Sequence, residues 1–243
     1  HWRKPGHPNS HTSAVNLASG VLVALLIMVI PGAITARVAQ LTWPVAVAVG
    51  PAVTYGIVAL AVVPLGAVGV PWNGWTALLA FVIVVAVVAA LRRALRRYRD
   101  TAAEALAIGR GAALFVAAGI LVGATAIAIS AILGMPHWQS IPSTWDSVWH
   151  GNTIRWILDV GQASPLHMGE LRNVETHALL YYPSTFHALA AVFCQLTGAA
   201  PTTAYTLHSL AASIWLFPVS AASLTWAMVR PYKCQRWSAG AAA

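Results

Sequence analysis

The residues that could do chemistry are few and clustered. Of the six acidic residues in this 243-residue chain, Asp146, Asp159, Glu170 and Glu175 fall within 134–183, together with His137, His150, His167 and His177, and His187 follows just beyond. A reaction centre, if there is one, belongs in or under that segment. Asp146 and His150 are four residues apart, which on a helix places them one turn apart on one face. A carboxylate beside an imidazole can act as a general base on a hydroxyl. The competing reading is structural, because Ser143 to Asp146 has the form of a capping box whose acid stabilises free N–H groups.

Arg155 and Asp159 repeat the four-residue spacing. They form either a helix-surface ion pair or an exposed arginine available to a phosphate. Glu170 and Glu175 stand among Gly169 and Asn173 in an irregular stretch and read as solvated. The histidines lack the spacing of a zinc site; no cofactor is expected, and a divalent metal stays open, with one strong carboxylate as thin support for it. His187 and His208 lie inside apolar segments, where a polar group is costly unless it faces protein, water or substrate. His208 could bond a neighbouring helix. His187, one turn beyond Tyr181 and Tyr182, could look back at the loop.

The elements that position these residues are helices in a membrane. Hydrophobic residues make up 58% of the chain and charged residues 8%, against about 25% charged in a soluble domain. Apolar runs approach or exceed the roughly 20 residues that span a bilayer. Six membrane segments are predicted, at 14–31, 43–65, 75–91, 111–133, 184–196 and 204–229, the fifth of them short. Pro31 and Gly32 are expected to end the first, since proline removes a helix hydrogen bond. Trp43, Trp72, Trp75, Trp138 and Trp226 sit near segment ends, where an indole N–H can stay wet. In the loop, Ser143 begins a helical pattern that Gly161 can end. Trp145, Trp149, Trp156 and Val160 fall on one stripe of it, as in a helix lying in the membrane interface.

This gives an all-α polytopic membrane protein in three parts. Residues 1–133 carry four helices and an arginine-rich loop (92–110), 134–183 form a loop with an amphipathic helix, and 184–243 add two further membrane helices. The chain begins at His1 and stops in three alanines, which reads as part of a longer protein. The net charge of +8 does not imply nucleic acid, because Arg92, Arg93, Arg96, Arg97, Arg99 and Arg110 sit together between apolar segments, the pattern of a cytoplasmic loop. Loop 134–183 is then extracytoplasmic in a multi-pass protein of the plasma membrane. Arg230, Lys233 and Arg236 would be external if all six segments cross, so either the rule is locally violated or the fifth segment is re-entrant, and the simple topology of six crossings is the one expected. Cys194 and Cys234 have no metal-ligand spacing and decide nothing about redox compartment.

Taken in order, Trp145-Asp146, His150, Arg155, Gly161 with Ser164-Pro165, then Tyr182-Pro183 and Phe186-His187 entering a membrane helix, these residues resemble the first extracytoplasmic loop of GT-C-type membrane glycosyltransferases. With four helices and a Pro31-Gly32 pair ahead of the loop, the whole chain more closely resembles the GT-C-like polytopic proteins of actinobacteria grouped as DUF6541, a family of unknown function. The resemblance to glycosyltransferases implies a GT-C-like bundle that transfers a sugar from a polyprenyl-phosphate donor to a cell-envelope glycan or glycolipid. By motif position Asp146 would be the base, with His150 orienting it or sharing its proton. Arg155 or Arg172 would hold the lipid phosphate through charge-assisted hydrogen bonds, and Tyr182 and His187 would line the substrate site. GT-C loops often carry two adjacent acids, whereas Asp146 stands between Trp145 and Ser147. The alternatives are a non-catalytic scaffold subunit of a cell-envelope complex and a transporter or flippase of a lipid-linked precursor.

Overall fold

The computed structural model describes residues 15–95, 110–172 and 180–240, with side chains at all of these except 110, 112, 170, 172 and 226–240. Every regular element among them is a helix: α1 (Leu17–Val38), α2 (Trp43–Ala67), α3 (Gly74–Ala94), α4 (Arg110–Gly134), α5 (Trp145–Val160), α6 (Gly169–Arg172), α7 (Thr185–Thr197) and α8 (Pro201–Gly240). The helix starts are set by local chemistry. Asn16 and Asn73 each close a capping box with the residue three positions on, satisfying N–H groups that have no partner inside the helix.

Five of these helices, α1 to α4 and 201–225 of α8, are long and apolar enough to cross a membrane. The protein is a multi-pass helical membrane protein. The fifth expected segment, 184–196, does not qualify. Helix α7 has 13 residues and is about 20 Å long at 1.5 Å per residue, short of the roughly 30 Å hydrocarbon core. It is enclosed by protein instead, with every residue from His187 to Cys194 buried.

The first helix also departs from expectation. It runs through Pro31 and Gly32 to Val38, so the pair marks a helix crossing and not a helix end. Gly32 N–H donates to Thr54 Oγ1 of α2 at 2.8 Å, and a Cβ on Gly32 would overlap the Gly50 carbonyl oxygen. Proline costs α1 the hydrogen bond to the Ile27 carbonyl, while the bond to Thr54 pairs the following N–H where α1 and α2 come into close contact.

The helix ends sort the charges. Arg92 Nη1 donates to Val38 O at 3.2 Å, placing the end of α3 beside the end of α1 and its Arg37. At the opposite end, Trp72 N–H between α2 and α3 donates to Gly161 O at 2.7 Å, and Gly74 N–H donates to Gln195 Oε1 at 2.8 Å. The start of α8 is there too, with Thr206 Oγ1 donating to Ser140 O at 2.7 Å. From that end α8 leads away through its apolar stretch 201–225, and the side chains of Arg230, Lys233 and Arg236 lie outside the described residues.

The interface tryptophans divide. Trp75 and Trp43 are exposed, Trp43 under the Arg37 guanidinium. Trp72 is buried, and its indole N–H donates to Ala188 O of α7 at 2.9 Å, so it locks helices together and does not meet water. The Trp226 side chain and the arginines at 96, 97 and 99 lie outside the described residues.

The α1–α2 crossing makes a prediction. Gly32→Ala should destabilise the protein by at least about 2 kcal/mol, because the obstacle is backbone and cannot move aside. Gly119→Ala, where a Cβ meets nothing within 4 Å, should be neutral, and thermal unfolding of both variants in one detergent measures the contrast.

Candidate functional site

Helix α5 starts one residue later than the sequence pattern suggested. Thr144 is the N-cap, its hydroxyl accepting from Ser147 N–H at 3.2 Å. The predicted Ser143 to Asp146 capping box is therefore replaced by a cap from Thr144, and Asp146 is released from the capping role. Gly161 ends the helix with φ of 75°, a left-handed conformation that favours glycine. A Cβ there would meet Pro71 at 2.7 Å.

Freed from capping, Asp146 turns to its own helix. Its Oδ2 is 3.2 Å from His150 Nε2, and His150 Nδ1 is 2.7 Å from His187 Nε2 at the start of α7. The three groups run from surface to interior, the Asp146 side chain being 77% exposed and His187 only 2%. The pattern of protons follows from the hydrogen bonds. With the carboxylate ionised and His150 neutral, His150 Nε2–H donates to Asp146, and its bare Nδ1 accepts Nε2–H from His187.

Aromatic rings hold the row in place. Tyr205 of α8 stacks on His150, with centroids 5.3 Å apart and planes 13° from parallel, and Phe186 meets His150 at a steep angle at 6.2 Å. Burial pushes the His187 imidazole down to about 3, helped by any positive charge on His150 and partly opposed by the carbonyls of Pro183 and Ser184. His187 stays neutral across the physiological range. Deeper in, His208 Nε2 bonds the Tyr55 hydroxyl of α2 at 2.7 Å, the inter-helix partner expected for it.

Beside Asp146 opens a cavity of about 390 Å3, walled by Trp145, Trp149 and Tyr182 with Asn152, Val148 and Leu171. The rings of Trp149 and Tyr182 meet nearly at right angles, 5.4 Å apart. The loop that brings Tyr182 here is stapled to its surroundings: Tyr182 N–H donates to Pro165 O at 3.0 Å, and Ser184 Oγ donates to Ala163 O at 2.6 Å. The expected tryptophan stripe splits accordingly. Trp145 is 91% exposed, whereas Trp149 and Trp156 are half-buried against neighbours.

The structure brings together Asp146, His150, His187 and Tyr182, but not Arg155. That guanidinium bonds Asp159 Oδ2 through Nε at 2.7 Å on the exposed surface and does not line the cavity. His187 faces His150 and is no part of the cavity wall. Arg172 ends α6 with its side chain outside the described residues, as is that of Glu170, and Glu175 and His177 lie outside them altogether. Among the described residues, no three His, Cys, Asp or Glu side chains gather to hold a metal ion. Sequence reasoning missed Tyr205 and Asn152. Asn152 had a visible signal, since it continues the Trp145 and Trp149 stripe at the i+7 position; Tyr205 comes from a helix distant in sequence.

The buried imidazole sets a pH dependence. Its folded value lies below the ordinary 6.5 of an unfolded histidine, so the unfolded chain binds more protons between these values. The stability it contributes is complete above pH 6.5 and lost as pH falls toward 3, at up to about 1.4 kcal/mol per pH unit. Unfolding measured from pH 7 to pH 4.5 should show this slope, and His187→Phe should flatten it.

Comparison with known proteins adds one finding. No curated protein and no solved structure matches the chain. A family model does, over residues 25–243, which includes every helix described except the first turns of α1. The chain belongs to DUF6541, a family of unknown function.

Proposed function

We propose that the protein is a GT-C-like membrane glycosyltransferase that moves a sugar from a polyprenyl-phosphate donor to a hydroxyl of an envelope glycan or glycolipid, with Asp146 as the base. The observation that carries this reading is the row of Asp146, His150 and His187, held by two packed helices and ending in an exposed carboxylate at the edge of an aromatic cavity. A surface Asp–His pair alone would be worth little. Here the imidazole is fixed from behind, which is what a positioned base requires.

In the reaction, Asp146 takes the proton of the acceptor hydroxyl as its oxygen bonds to the anomeric carbon of the donor sugar. The bond from that carbon to the lipid phosphate oxygen breaks, and the phosphate leaves with the electron pair. His150, hydrogen-bonded to the carboxylate, orients it toward the acceptor hydroxyl before the proton moves. The positive-inside rule assigns the arginine end to the cytoplasm, and the site then faces the outer side of the plasma membrane. Membrane lipids and the polyprenyl-phosphate sugar are the partners this reading needs. Arg155, bonded to Asp159, would have to exchange that partner to reach a phosphate.

The test is transfer from a labelled polyprenyl-phosphate sugar by Asp146→Asn. Because the side chain is exposed, the variant should fold as the parent does, and turnover should fall by about 100-fold or more. Unchanged turnover removes Asp146 from the mechanism.

A further inference from the structure

The cavity beside Asp146 has a charge pattern that separates the two substrates of such a reaction. Among its described lining side chains there is one carboxylate, Asp146, and no cation. Arg155 is held by Asp159 elsewhere. Among the described side chains, a phosphate entering this cavity would meet an anion and no compensating charge, which is unfavourable where water is partly excluded. A neutral ligand meets no such barrier.

The walls say what kind of neutral ligand fits. Trp145 presents a nearly free ring, and Trp149 and Tyr182 form a corner with planes 83° apart. Aromatic faces are electron-rich and attract the polarised C–H groups that cover the faces of a pyranose ring. The rim of such a ring carries hydroxyls, each both donor and acceptor. Asp146 offers two acceptor oxygens, and Asn152 offers both a donor and an acceptor. A cavity of about 390 Å3 lies at the small end of ligand sites, the scale of a single small ligand.

We propose that this cavity is the binding site of a neutral pyranose, the acceptor sugar, which packs on Trp145, Trp149 and Tyr182 and hydrogen-bonds Asp146 and Asn152, while the donor phosphate binds outside it. The assignment to the acceptor rests on the transferase reading; the preference for a neutral pyranose rests on the lining itself. Asp146 then touches the hydroxyl it is to deprotonate. The donor approaches from the open side of the cavity.

Saturation-transfer NMR on the full chain in lipid nanodiscs tests this, with methyl α-D-mannopyranoside, methyl β-D-glucopyranoside and methyl β-D-galactopyranoside as probes and inorganic phosphate as competitor. At least one glycoside should receive saturation at its ring C–H protons, and phosphate should not displace it. Trp145→Ala and Asn152→Ala, both at exposed positions, should each weaken that binding by about tenfold, some 1.4 kcal/mol. The proposal is overturned if none of the glycosides binds, if phosphate displaces them, or if both variants bind as the parent does. Binding that depends on Trp145 in a protein without transfer activity upholds the site and sinks the transferase reading. Transfer accompanied by glycoside binding that ignores both variants does the reverse.

Discussion

A helix of 13 residues cannot cross a bilayer, and much of this structure follows from where α7 goes instead. It stays at one end of the bundle, buried among α1, α2, α3, α5 and α8. Its backbone takes the Trp72 indole N–H at Ala188, and its Gln195 side chain takes the Gly74 N–H. Those two bonds tie the α2–α3 connection to the helix that carries His187. Among the described residues, five helices are long and apolar enough to cross a membrane, and α7 is not one of them.

The same placement builds the polar row. His187 is buried because α7 is buried, and a buried imidazole must be neutral or paired. His150 supplies the pairing from α5 at 2.7 Å. Each ring of that pair constrains the other, since a hydrogen bond between two imidazole nitrogens needs one with a proton and one without. Tyr205 adds a flat surface from α8. Three helices, α5, α7 and α8, thus fix one carboxylate that would otherwise be a mobile surface group.

Much of this was legible beforehand, for physical reasons that differ by element. The long helices announced themselves through apolar runs, and the Asp146–His150 and Arg155–Asp159 pairs through helical spacing. The local N-cap was misread by one residue, because Ser143 and Thr144 are both good caps and only the folded backbone chooses between them. Pro31-Gly32 looked like a terminus because the Thr54 hydroxyl that pairs the Gly32 N–H lies 22 residues away. Trp72 looked like an interface residue because its acceptor, Ala188 O, lies 116 residues away. Tyr205 and the His150–His187 bond were invisible for the same reason: contacts between helices leave no periodic trace in a single sequence.

The account turns on the number of crossings, and cysteine labelling in sealed vesicles of uniform orientation reads it directly. Native Cys234, near the end of α8, and a cysteine placed at the exposed Trp145 position report the two ends, Cys194 being buried. Five crossings predict that a membrane-impermeant maleimide reaches one of the two from outside the vesicle and the other only after the membrane is opened. Labelling of both from the same side would mean that α7 crosses, and would contradict the arrangement that brings His187 to His150.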